Sequence, residues 1–173
     1  EGSHLGNIGV VYAGLGKYDE AIVCFQKSIK IAQECGDKIT EGTNIGGLGK
    51  IFFDLNRLEE ARDALLQSIE ICEVLVPSAA GTFRGILGVL YATEGAFEKA
   101  FEALEKGESL IAIMPSEYGE FLCRKATVMH LAGQSKNAEQ ALEQAGKIGI
   151  EISAKEDSEL EKAITETKRF LLW

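Results

Sequence analysis

The sequence is poor in the residues on which most catalytic and metal sites depend. Its 173 residues include two histidines, one tryptophan and two prolines. Neither His4 nor His130 is followed, three or four positions later, by a residue that would complete a metal site on a helix. The four cysteines form no pair separated by two residues. We therefore expect a protein that is not an enzyme and that holds no metal or cofactor.

Long apolar runs are also absent. The longest covers only a few residues, far below the roughly 20 that a membrane-spanning helix requires. The 27 acidic residues outnumber the 18 basic ones, so the formal charge is −9. This balance argues against nucleic acid, whose binding depends on Lys and Arg neutralising phosphates. Because cysteines without a disulfide pattern fit reduced thiols, the composition predicts a cytoplasmic protein with neither a membrane nor a nucleic acid as its partner.

A repeat runs through the whole chain. "EGSHLGNIGVVYAGLGKYDEAIVCFQKSIKIA" from Glu1 aligns with "EGTNIGGLGKIFFDLNRLEEARDALLQSIEIC" from Glu41. Two columns of small residues then recur at steps of 40, 39 and 38 residues, and the members of one column lie 12 residues before those of the other. The columns are Gly9, Gly49, Gly88 and Ala126, followed by Ala21, Ala61, Ala100 and Ala138. The sequence thus predicts repeats at about 1–40, 41–79, 80–118 and 119–156.

Each repeat has the apolar spacing of two helices. In the first copy, Leu5, Ile8 and Tyr12 share one helical face and Ala21 and Phe25 share another. Short breaks separate the paired helices at 14–17, 56–57, 95 and 133, and Gly36 followed by Asp37 is a stop and start signal between pairs. The segment from about 157 to 172 has one apolar stripe, which predicts a single amphipathic helix. These patterns indicate an all-α fold.

The chain resembles the tetratricopeptide repeat family over nearly its whole length, most closely in its first two copies. Its sparse pattern of a large residue, an apolar-Gly pair, an aromatic residue, Ala and Phe is matched by Leu5, Ile8-Gly9, Tyr12, Ala21 and Phe25. The unit resembles the subset with about 40 residues. Arg84 and Lys125 depart from the pattern in the third and fourth copies.

This resemblance implies a right-handed α-α superhelix, built from four helix pairs and a C-terminal capping helix in a single domain over residues 1–173. The sequence also favours a fragment of a larger protein. Glu1 falls inside a first helix, whereas the equivalent helix of the second copy starts near Asp37 or Lys38.

The stretch "EGTNIGGLGK" at 41–50 looks at first like a phosphate-binding loop. A P-loop requires G-x-x-x-x-G-K-[ST], but Asn44 stands at the first glycine position and Ile51 at the hydroxyl position. The glycines instead form three columns across the repeats: Gly2, Gly42, Gly81 and Gly119; Gly6, Gly46 and Gly85; Gly9, Gly49 and Gly88. On helices these columns make one stripe, which serves either close helix packing or access for a ligand.

The resemblance further implies that the first helices line a concave groove for a peptide or a partner helix. The candidate groove residues are Val10, Ala13, Thr43, Lys50, Phe53, Thr82, Val89, Ala92, Glu120, Cys123, Thr127 and His130. The leading hypothesis is a non-catalytic adaptor that binds a protein partner in this groove. Two alternatives stay open: a regulatory or sensor segment of a multidomain signalling protein of the kinase or cyclase type, and self-association through the uncapped first repeat.

Overall fold

The computed structural model describes residues 2–172, and this part of the chain contains nine α-helices and no strands. Eight helices form four consecutive pairs, and the ninth follows alone. The helices are α1 Gly2–Gly14, α2 Tyr18–Cys35, α3 Lys38–Asp54, α4 Leu58–Leu75, α5 Pro77–Thr93, α6 Phe97–Ile111, α7 Pro115–Leu131, α8 Ser135–Glu151 and α9 Glu159–Leu171. The prediction of an all-α fold with four helix pairs and a final helix is confirmed.

The turns within the pairs share one backbone feature, a residue with a positive φ. In each pair, a residue with a positive φ closes the turn, at Gly16, Asn56, Gly95 and Gly133. These positions follow the same steps of 40, 39 and 38 residues as the repeat. Three are glycine, and asparagine is among the few other residues that adopt this conformation readily. The repeat is therefore encoded in its turns as well as in its apolar columns.

The connections between pairs end one helix and start the next within a few residues. Gly36 has φ of 71° and ends α2, and the side chain of Asp37 accepts a hydrogen bond from the backbone N–H of Thr40 to cap α3. Pro77 and Pro115 are the first residues of α5 and α7. A proline fits this position because the first backbone N–H of a helix has no partner within the helix.

The chain divides into two compact units, Glu1–Phe83 and Arg84–Trp173, and the boundary falls within α5. The first unit has its core between the first two helix pairs. There, Ala21 and Phe25 of α2 pack against Leu48 and Ile51 of α3, and all four are buried. Ala21 lies four residues before Phe25 on the same face of α2. Because the alanine side chain is small, α3 can pack closely against α2 at this point.

The buried side chains of Ser28, Asn44 and Glu41 in the first unit form hydrogen bonds. The Ser28 hydroxyl donates to the Gly2 carbonyl at 2.6 Å, and the Asn44 side-chain amide donates to the Ser28 hydroxyl oxygen at 2.6 Å. The Glu41 carboxylate accepts hydrogen bonds from Lys38 Nζ at 2.7 Å and Gln33 Nε2 at 3.0 Å. These two bonds, that from Lys38 first, hold the pKa of Glu41 below its usual value although the side chain is buried.

The second unit has two main apolar clusters. Ala100 and Leu104 of α6 pack with Phe121 and Val128 of α7, which repeats the arrangement of the first unit. The other cluster joins α9 to the fourth pair, and its buried members are Leu122, Cys123, Ala145, Leu160 and Ile164. The final helix thus buries apolar surface of α7 and α8 that would otherwise face water.

Candidate protein-binding surface

The glycine column of Gly9, Gly49 and Gly88 packs against the second helix of its own pair. A Cβ atom added at Gly49 would lie 2.9 Å from Leu65 Cγ and 3.1 Å from its backbone nitrogen. The corresponding contacts are 3.1 Å from Gly9 to Phe25 and 3.2 Å from Gly88 to Leu104. Since ordinary carbon contacts are about 3.5–4.0 Å, these glycines let the paired helices approach closely.

The glycine column of Gly6, Gly46 and Gly85 is filled by the first helix of the next pair. One residue of that helix lies nearest to each glycine, and these three nearest residues are themselves a column of the repeat. The pairs are Gly6 with Asn44, Gly46 with Phe83, and Gly85 with Phe121. The contact is closest at Gly46, where an added Cβ would overlap the tip of the Phe83 ring. Of the two uses that the sequence left open for the stripe, the structure therefore shows packing.

The first unit presents one set of candidate groove residues on α1 and α3. Val10 is 61% exposed, and Lys50 is exposed and forms no ion pair within residues 2–172. Ala13 and Phe53 are partly exposed. The Thr43 hydroxyl donates to the Ile39 carbonyl of its own helix at 2.9 Å, so this donor is already used within the chain.

The remaining candidate of the first unit, Thr82, also forms a hydrogen bond within its own helix. It lies on α5, is partly buried, and its hydroxyl donates to the Ser78 carbonyl at 3.2 Å. Among the candidate residues of the first unit, Lys50 is therefore the main polar side chain that is available to bind a partner.

The candidate residues of the second unit are more enclosed. Ala92 is 3% exposed and Cys123 is 2% exposed, so neither side chain is accessible in this conformation. Val89 is half-buried against the cluster that contains Phe121. Burial raises the pKa of the Cys123 thiol to about 11, which leaves it protonated and unreactive at neutral pH.

Helix α7 carries the other three candidates, and each has an intramolecular contact. Glu120 forms an ion pair with Arg124 at 3.4 Å, and the Thr127 hydroxyl donates to the Cys123 carbonyl at 3.1 Å. The His130 ring meets Phe170 of α9 edge to face, with ring centroids 5.5 Å apart. The first unit therefore offers the more accessible of the two candidate faces.

Two basic residues on α7 have partly buried surroundings that the sequence did not predict. Lys125, which departs from the repeat pattern, forms an ion pair with Glu108 of α6 at 2.6 Å, and Glu108 also accepts a hydrogen bond from the Tyr118 hydroxyl at 3.0 Å. Arg124 has a buried Nη1 atom with no hydrogen-bond partner in the described chain. The sequence signal was a basic residue at a normally apolar position, and such a residue requires an acidic partner on an adjacent helix.

The described residues contain no group of three or more His, Cys, Asp or Glu side chains that could hold a metal ion. No helix between residues 2 and 172 has the length and hydropathy needed to cross a membrane. What these residues provide is a set of stacked helix pairs with a partly exposed face on the first helices. The structure thus defines a helical repeat protein.

Comparison with known proteins identifies the family that the N-terminal part of the chain resembles. Residues 1–73, which span the first two helix pairs almost completely, match the model of the tetratricopeptide repeat family. Proteins of this family are typically non-catalytic and generally serve as protein-interaction scaffolds.

The fold has a solved counterpart. The crystal structure of BtubC (BKLC) from P. vanneervenii superposes with a TM-score of 0.70 at 19% sequence identity. The match covers 91% of this chain and 66% of that structure, so the present chain spans somewhat less than two thirds of its length. The identity is low enough that the likeness concerns the fold alone. No curated protein sequence gives a significant match.

Proposed function

We propose that this chain is a non-catalytic protein-interaction module that binds a peptide or a helix of a partner protein along its first helices. The observation that carries the proposal is the face of the first unit, where Val10, Lys50 and Phe53 are at least partly exposed on α1 and α3. The family's general role in protein interaction supports the same reading. A cytoplasmic location is part of the proposal, and the four free cysteines support it.

The chemistry of this face specifies the partner segment in outline. Phe53 and Val10 offer apolar contact, and a partly exposed aromatic side chain is a common anchor in protein interfaces. Lys50 is an unpaired cation in the described chain, so it favours a carboxylate on the partner. We therefore propose a partner segment that carries an apolar side chain close to an acidic one, bound as an extended peptide or as a helix in a groove.

The test is affinity capture from native cell extract, followed by measurement of the dissociation constant for each captured protein. We expect Lys50→Glu and Phe53→Ala each to weaken binding by about tenfold or more, because loss of an interface anchor costs at least about 1–2 kcal/mol. Lys30→Glu on α2 makes the same charge change on an exposed residue of a second helix and should leave binding unchanged. Unchanged capture by both groove variants, with native circular dichroism, would exclude this surface.

Two other uses are compatible with the same fold. As a regulatory or sensor segment of a multidomain signalling protein, of the kinase or cyclase type, the chain would bind its partner within a larger polypeptide. The full reading frame tests this use, since the absence of a further domain excludes it. Self-association through the first repeat is the other use, and light scattering over a concentration series tests it, since a strict monomer excludes it.

A further inference from the structure

Helix α1 exposes a row of large apolar side chains on a face separate from the candidate groove residues. Ile8, Val11 and Leu15 are 45%, 62% and 65% exposed. They are spaced by three and four residues, so they form one stripe along the helix. Val23 of α2 is also exposed and lines a shallow cleft with Tyr12 beside this stripe.

The same positions are buried in the other repeats. Val11 corresponds to Ile51, Leu90 and Val128, which are 1%, 0% and 0% exposed. Ile8 corresponds to Leu48 and Leu87, which are 8% and 3% exposed. The repeat thus uses these positions as interior positions, and α1 has interior residues without a covering element.

The covered repeats show what kind of element is required. Leu48 and Ile51 of α3 lie on Ala21 and Phe25 of α2. In the second unit, Val128 of α7 lies in one cluster with the corresponding residues of α6, Ala100 and Leu104. In both cases the covering element is the second helix of a neighbouring pair, and it presents an alanine and, four residues later, Phe or Leu.

A second copy of this chain has no free helix of this kind. Within residues 2–172, the Ala and large residue of α2, α4 and α6 are buried in the copy's own packing. The fourth pair of positions, Ala138 and Leu142 of α8, packs with Leu171 of α9. Among its described residues, a second copy therefore offers α1 no exposed helix with this contact surface.

We propose that the exposed face of α1 docks the second helix of a further tetratricopeptide-type pair, joined to α1 as α2 is joined to α3. Its contact sequence is alanine, any three residues, then Phe or Leu. This contact uses Ile8 and Val11 and is independent of the groove residues, so either proposal can fail without the other.

The test extends the full chain with a duplicate of residues 18–40 placed directly before Glu1, which reproduces the connection between Thr40 and Glu41 in register. We expect the melting temperature to rise by at least about 2 °C, because a new apolar interface is buried. We also expect slower amide hydrogen exchange along α1. A control extension carries Ala21→Asp and Phe25→Asp in the duplicate only, and it should leave both quantities at the values of the unextended chain.

A second variant separates docking from a general effect of added length. Val11→Lys should be nearly neutral in the unextended chain, where the side chain faces water, and should remove the gain in the extended chain. Equal melting temperatures for the two extensions would overturn the proposal. So would a concentration-dependent dimer of the unextended chain that Val11→Lys abolishes, because the occupant would then be a second copy.

Discussion

Replacing Gly46 by alanine should destabilise this protein, although alanine is the better helix former. Gly46 lies inside α3 and is buried. In a helix interior, alanine is favoured over glycine by about 0.5–1 kcal/mol when nothing else changes. At this position, however, the new methyl group would overlap the tip of the Phe83 ring.

The net effect follows from the two opposing terms. Inserting one carbon into a packed core costs about 1–3 kcal/mol, because side chains and helices must shift to accommodate it. Phe83 is itself buried, so its ring has little freedom to turn away. Because the overlap at Gly46 is the closest in its column, the upper half of this range applies, about 2–3 kcal/mol. Subtracting the gain in helix propensity leaves an expected loss of about 1–2.5 kcal/mol in the free energy of unfolding.

The assay is urea unfolding followed by circular dichroism, with two comparison variants. Gly146→Ala in α8 is the matched control, since a Cβ at that position would meet nothing within 4 Å, and it should stabilise the protein by about 0.5–1 kcal/mol. Phe83→Leu removes the ring tip. Combined with Gly46→Ala, it should therefore give a double variant more stable than the sum of the two single effects predicts, by about 1 kcal/mol.

A ligand-access role for the glycine stripe predicts a different result. If Gly46 were bare because a partner side chain occupies the space above it, alanine would leave the free protein as stable as Gly146→Ala does. A Gly46→Ala variant at least as stable as the wild type, or additive with Phe83→Leu, would refute the packing argument.

Three further predictions use burial and charge. Ile51→Ala should cost about 2–5 kcal/mol in urea unfolding, whereas Val11→Ala at the equivalent but exposed position should change stability by less than about 0.5 kcal/mol. The lowered pKa of Glu41 means that its ionised form stabilises the fold above the unfolded pKa and that this contribution is lost as pH falls through the folded pKa; Glu41→Gln should therefore flatten the dependence of unfolding free energy on pH below about 4.5. The exposed Cys35 should react rapidly with a thiol reagent at pH 8 and account for a phase that Cys35→Ser removes, while Cys123, whose pKa is raised to about 11, should react only on unfolding.

The sequence predicts the helix pairs and their turns because both depend on local chemistry. A helix break needs a residue that adopts a positive φ, and Gly16, Asn56, Gly95 and Gly133 supply it at the spacing of the repeat. The apolar columns need only helical periodicity. These signals act over a few residues and recur in four copies, so chance errors at one position do not obscure them.

The occupants of the glycine stripe could not be predicted in the same way. Periodicity identifies a bare helix face, but which neighbour approaches it depends on the distance and rotation of another helix. Phe83 and Phe121 are ordinary apolar residues in the sequence, and only the packed structure brings them to Gly46 and Gly85. The enclosure of Cys123 was missed for the same reason, since it depends on where α9 lies against α7.

The exposed face of α1 has a physical explanation in the asymmetry of a helix-pair repeat. Each pair presents an alanine-containing second helix on one side and an apolar first-helix row on the other, and neither is stable in water when left bare. Helix α9 covers the second-helix side of the fourth pair, where Leu171 packs on Ala138. No described residue does the same for Val11, whose equivalents are all buried. Because apolar burial contributes about 25 cal/mol per Å², a helix that covers this row would gain stability without disturbing the groove residues.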